Sequence, residues 1–75
     1  MTDNILLAFG ARVKELRLAK ELSQEKLAQI CELDRTYISG IERGIRNVGL
    51  LNVKKLSDAL EISPSELLRF GDDNV

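Results

Sequence analysis

An all-α fold, a compact bundle of five short helices, is what this 75-residue chain predicts. Three observations carry that expectation. Apolar residues recur at spacings of three and four along most of the chain, and no stretch alternates cleanly with period two. Capping residues stand ahead of the periodic segments. No internal repeat, low-complexity tract or linker interrupts them, so residues 1–75 read as a single domain.

The first helix is expected over about residues 4–20. Leu6, Phe9, Val13 and Leu16 form its apolar stripe, Ala8, Ala11 and Ala19 lie beside it, and Arg12, Lys14, Glu15 and Arg17 form the rim. Ser23 is the N-cap of a second helix with Leu27, Ala28, Ile30 and Cys31 on one side. Glu32-Leu33 breaks the pattern. Asp34 then caps a third helix, from Arg35 to about Arg43, which Gly44 ends in a left-handed conformation. Gly49 precedes a fourth, with Leu50, Val53, Leu56, Ala59 and Leu60 on its apolar side. Ser63-Pro64-Ser65-Glu66 is a capping box with Pro at the first helical position. It opens a short fifth helix carrying Leu67, Leu68 and Phe70, closed at Gly71, and the DDNV tail is expected to fray.

Composition narrows the function. A chain of this length buries only ~60% of its unfolded surface, near the lower limit for folding alone. The 44% hydrophobic content supports a core, which must be aliphatic because Phe9, Tyr37 and Phe70 are the only aromatics. One Cys and no His exclude a disulfide scaffold and a Cys/His zinc site, and point to a reducing cytoplasm. Cys31, on an inward stripe, reads as core packing. The apolar run Ile5 to Phe9 has neither a basic flank nor a small-residue cleavage site, and no run has transmembrane length. Enzyme chemistry lacks its parts: there is no His, no Gly-rich phosphate loop, and no Ser or Cys with a base at motif spacing. Ser57-Asp58 reads as helix surface, and Asp72 and Asp73 as tail. No cofactor, metal or small-molecule ligand is expected.

Net charge is −1, yet its distribution is uneven. Residues 1–55 carry ten Lys/Arg against seven Asp/Glu, and residues 56–75 one against five. A segregated charge can present a positive face to phosphate while the far end stays acidic; on charge alone, ordinary fluctuation in a small soluble domain is the other reading.

The stretch DRTYISGIERGIRN, Asp34 to Asn47, sharpens this. The link between helices two and three is only about three residues, which forces a steep crossing. Ala28 is small where the helices approach, Leu33 plugs the angle, and Ile38 and Ile41 seat the third helix on the core. Arg35, Thr36, Ser39, Gly40 and Arg43 then face out. Such a helix fits a major groove: Arg35 suits guanine O6 and N7, Thr36 and Ser39 suit several bases, and Gly40 permits close backbone approach. On the residues alone, a plainly solvated face is the other reading.

The segments FGARVKELR, LSQEKLAQICELDRTYISGIERG, RN and LSDALEISPSEL resemble the Cro/phage-repressor (Xre-like) helix-turn-helix family over about residues 9–68. DRTYISGIERGIRN is most similar to the controller proteins of restriction–modification systems. The resemblance implies a lambda-repressor-like DNA-binding domain with its helix-turn-helix at about 24–43. Glu21 and Glu32 stand where the family commonly has Gly, and Val48 where Pro is frequent. By position, Arg35, Thr36 and Ser39 match base-reading residues, with Tyr37 grouped beside them, either against sugar–phosphate or packed locally. Gln24 matches a glutamine bracing the DNA backbone at the N-terminus of helix two, where free N–H groups suit phosphate. Arg43, Arg46 and Asn47 look like backbone clamps, Arg17 a further one. Arg12 and Glu42 match a structural ion pair.

The implied function is a homodimeric, sequence-specific transcription regulator of a bacterial or phage cytoplasm, binding a palindromic double-stranded operator of its own operon and touching RNA polymerase if it activates. Residues 50–70 are the expected dimerisation region. There Leu51 replaces a usually polar residue beside Leu50, and with Leu67, Leu68 and Phe70 leaves an apolar patch. An antitoxin or phage-type repressor with the same domain, and a protein-interaction domain that lost DNA binding, are the rival readings.

Overall fold

The computed structural model describes residues 4–70, and its helices fall where the apolar spacing puts them. They are α1 (Asn4–Ala19), α2 (Gln24–Cys31), α3 (Arg35–Glu42), α4 (Leu50–Ala59) and α5 (Pro64–Leu67). The expected stop at Gly71 and the tail lie outside the described residues. Among the described residues no helix is long and apolar enough to cross a membrane.

The core is aliphatic: Val13, Leu27, Ile38, Ile41, Leu56 and Leu67 are fully buried, and Cys31 and Leu60 nearly so. Burial of Cys31 pushes its thiol pKa up, as befits a packing residue. Phe9 meets Phe70 edge to face, with ring centroids 6.1 Å apart.

Four helix ends use one device. Glu21, Glu32 and Glu61 have φ of 59°, 58° and 60°, and Gly44 has 77°. Each left-handed residue is flanked by the paired backbone bonds of a Schellman turn: Leu22 N to Arg17 O, Leu33 N to Ala28 O, Ile45 N to Gly40 O and Ile62 N to Ser57 O close the longer rings. Leu22, Leu33 and Ile62 then pack against the core, while Ile45 stays exposed. Three of these turns run straight into an N-cap, as Glu-Leu-Ser23, Glu-Leu-Asp34 and Glu-Ile-Ser63. Ser23 Oγ accepts from Lys26 N, and Ser63 Oγ from Glu66 N. Asp34 holds the N-cap position of α3 with no side-chain bond. The Glu66 carboxylate, expected to complete a capping box, is instead engaged by Arg12 and Arg69.

Two contacts fix α3 against α1. At Gly10 the backbones cross so closely that a methyl group would overlap the Ile41 carbonyl oxygen and lie 2.8 Å from that of Glu42. About two turns further on, Arg17 grips Glu42. Its Nε and Nη2 donate to the two carboxylate oxygens at 2.6 and 3.0 Å, and its Nη1 donates to the Leu22 carbonyl at 2.7 Å. Both side chains are buried.

This corrects two expectations. The partner of Glu42 is Arg17, so Arg17 is not a DNA clamp. Arg12 lies five positions earlier, which turns it roughly 140° around the helix. It donates to the Glu66 carbonyl at 2.9 Å and to the Glu66 and Glu15 carboxylates, tying α1 to α5. Packing along α2 and α4 also differs from the apolar count. Ile30 is exposed, and Leu50, expected in the core, is 83% exposed at the first position of α4.

Breaking the buried pair by Arg17→Ala should lower stability by about 3–5 kcal/mol, since it strands the Glu42 carboxylate. A urea midpoint near wild type would return Arg17 to the surface. Gly10→Ala should cost about 1–3 kcal/mol or more, because the overlap is with backbone that has nowhere to yield. Equal stability of this variant and wild type in the same titration would mean that α1 and α3 are less closely apposed.

Candidate nucleic-acid interface

The turn between α2 and α3 is two residues of loop, Leu33 and Asp34, after the left-handed Glu32. Ala28 is buried and Leu33 packs on the core, so α3 is anchored by Ile38 and Ile41 beneath and by Glu42 at its end. What remains of α3 is polar. Arg35 and Thr36 are exposed in its first turn, Ser39 is half-buried one turn on, and Arg43 is exposed at its end.

No ion pair among the described residues involves Arg35, Arg43 or Arg46. Glu42, beside Arg43, is already neutralised by Arg17, and the exposed Asp34, beside Arg35, forms no ion pair with it. An uncompensated arginine face thus survives on a protein whose net charge is −1.

Gln24, the first residue of α2, is held from within. Its Nε2 donates to Glu42 Oε1 at 3.1 Å, so one carboxylate orients both Arg17 and Gln24. The second amide hydrogen of Gln24 remains for another acceptor. Ser23 occupies the Lys26 N–H, which leaves the two preceding amides at the positive end of the α2 dipole.

The loop after α3 differs most from expectation. Gly40, expected to face outward for close approach to DNA, is buried under the stem of Arg46, whose Cγ would lie 2.8 Å from a Cβ built there. The Arg46 guanidinium sits 5.9 Å from the centre of the Tyr37 ring, in cation–π range. Tyr37 is half-buried, and its hydroxyl accepts from Asn52 Nδ2 at 3.1 Å. Tyr37 therefore packs locally, as a platform beneath Arg46. Asn47 is exposed beside it and lines the mouth of an apolar groove.

That groove, of about 170 Å³, is formed by Ile5, Leu6, Phe9, Val48, Val53 and Phe70 together with Leu68. Near it the surface is apolar: Ile5 and Leu68 are exposed, as are Leu50 and Leu51 at the start of α4. Leu67 does not belong to this surface. It is fully buried, because it closes the four-residue α5 against the core. Asn52, bonded to Tyr37, and Gly10, at the crossing of α1 and α3, shape this region and were not singled out by the sequence. For Gly10 a signal existed, since a glycine in the middle of an amphipathic helix weakens it unless something packs closely there.

A helix-turn-helix family model matches residues 13–67. The control protein C.BamHI of Bacillus amyloliquefaciens is 58% identical over 71 residues, spanning 93% of this chain and 88% of that protein. C.MunI of Mycoplasma sp is 50% identical over 66 residues, or 87% and 89% of the two chains. The crystal structure of the restriction–modification controller protein C.AhdI from Aeromonas hydrophila matches with a TM-score of 0.85 at 55% identity, covering 87% of this chain and 98% of that one. By these matches the chain belongs to the helix-turn-helix family and, within it, to the controller proteins of restriction–modification systems.

Proposed function

We propose that this protein is a cytoplasmic, non-enzymatic transcription regulator that binds, as a homodimer, a palindromic operator of its own operon. The observation that carries the reading is the face built by α3. It sets an exposed Arg35 and Thr36 in the first turn against Arg43 and Arg46 beyond its C-terminal end, none of the three arginines having an ion-pair partner, on a helix whose own carboxylate, Glu42, is buried and neutralised. Such a face offers base-reading donors at one end and phosphate clamps at the other. The identities above, sustained over most of both chains, favour a controller over an antitoxin or a phage-type repressor. The unpaired arginines argue against a domain that has lost its DNA.

In this arrangement Arg35, Thr36 and Ser39 read bases in the major groove. Arg43, Arg46, Asn47, Gln24 and the N-terminus of α2 hold the backbone. The apolar surface of Leu50, Leu51, Leu68 and Ile5 supports a two-fold contact, which sets the two α3 helices about one DNA turn apart, roughly 34 Å.

Reading and holding separate experimentally. Arg35→Ala should cost about 1–3 kcal/mol per half-site on the operator and relax preference at one base pair in each half, with little change on scrambled duplex. Arg46→Ala should weaken both duplexes by similar factors and shrink the log–log salt slope, expected at roughly −4 to −7, by about one unit per subunit. Equal losses on both sequences for Arg35→Ala would make Arg35 a clamp and leave reading to Thr36 and Ser39. For the dimer, Leu51→Lys should shift sedimentation at micromolar concentration from dimer toward monomer while the circular dichroism stays helical. A monomeric wild type under those conditions would remove the two-fold contact.

A further inference from the structure

Arg46 lies outside the helices, in the 45–49 loop, yet three features hold its side chain. Gly40 leaves a bare patch of backbone on which the stem rests, with Cγ and Nε 2.8 and 3.2 Å from where a Cβ would stand. The Tyr37 ring lies under the guanidinium at 5.9 Å. Asn52, from the first turn of α4, donates to the Tyr37 hydroxyl at 3.1 Å. A long arginine side chain in a loop otherwise surrenders considerable rotamer freedom on binding. Here much of that ordering precedes the ligand.

We infer that Asn52 is a positioning residue for DNA binding: it fixes the Tyr37 ring, and through that ring it pre-orients the Arg46 guanidinium. Asn52 is half-buried, and the hydrogen bond it makes is to Tyr37. Without the bond, Tyr37 is free to swing about its side-chain torsions, and the platform under the guanidinium moves with it. Asn52 also directly follows the exposed Leu50 and Leu51, so the residue that seats the clamp rides on the helix turn that bears the apolar surface. The inference rests on Arg46 being at the DNA backbone, as proposed above.

A mutant cycle tests it. Asn52→Ala and Tyr37→Phe should each weaken operator and scrambled duplex alike, by about 2- to 10-fold per half-site, the range of one neutral hydrogen bond. The double variant should bind no worse than the weaker single, and in an Arg46→Ala background Asn52→Ala should change affinity by less than about twofold. Tyr37 is the only tyrosine, and there is no tryptophan. Tyrosine emission of the free protein therefore reports on this site alone, and should change in Asn52→Ala and in Arg46→Ala without any DNA. If Asn52→Ala fails to fold, Tyr37→Phe in the Arg46→Ala background reads the same coupling. Additive losses from Asn52→Ala and Tyr37→Phe, or an undiminished Asn52 effect in the absence of Arg46, would overturn the inference. An Arg46→Ala variant that binds both duplexes like wild type would instead remove the clamp itself, whereas a damaging Arg46→Ala beside a silent Asn52→Ala rejects only the positioning role.

Discussion

One carboxylate organises the half of this molecule that carries the helix-turn-helix. Glu42 sits at the end of α3, receives two bonds from Arg17 of α1 and one from Gln24 of α2, and is buried while doing so. Removing two charges from water costs several kcal/mol, and Coulomb attraction repays this only where geometry is good and the remaining donors are satisfied. Here they are satisfied, since Arg17 sends its third bond to the Leu22 carbonyl in the turn before α2. Three helices are thereby referred to one point. The contact at Gly10 adds a steric stop in the same crossing. Ridge-into-groove packing tolerates small slips, whereas a bidentate pair beside a backbone contact does not. The orientation of α3 relative to the N-terminus of α2 follows from these two features, and the spacing between the groups proposed to read bases and those proposed to hold phosphate follows from that orientation.

The same pair does electrostatic work. A glutamate beside Arg43 would otherwise attract it and blunt the field of the face. Because Arg17 absorbs Glu42 from the inside, Arg43 and its neighbours remain available to an external anion. The bulk pI of about 5.4 hides this. Net charge describes solubility and long-range behaviour, while phosphate responds to the few uncompensated charges within a Debye length, about 8–10 Å.

Much of the fold was legible because it rests on local rules. Helix period, the Ser23 and Ser63 caps, Pro64 and Gly44 each act within a few residues, and the elements appear where those signals stand. Glu61 was missed, although Glu-Ile-Ser63 repeats the pattern of Glu-Leu-Ser23 and Glu-Leu-Asp34. The misassigned ion pair had a signal too: Arg17 follows Val13 by four and so continues the buried stripe, whereas Arg12 lies off it. Leu50 and Leu67 show the limit of periodicity, which states a face but not how far the rest of the body covers it. The seat of Arg46 was beyond local reasoning. It needs the return path of a loop over α3 and the reach of α4 back to Tyr37, both set only when the whole bundle is assembled.

The left-handed glutamates carry a further consequence, in time rather than in space. A side chain in that backbone region costs roughly 1 kcal/mol relative to glycine, and each such increment raises the unfolded fraction about fivefold. Glu21, Glu32 and Glu61 each hold such a place, while Gly44, where a Cβ would strike Leu7, does not have that latitude. Degradation of a small domain follows the population of its opened form when reclosing is fast. Glutamate rather than glycine at these three helix ends thus raises the opened population on which degradation acts. In a regulator of the proposed kind, where occupancy would follow concentration, such helix ends would act to shorten the memory of past expression.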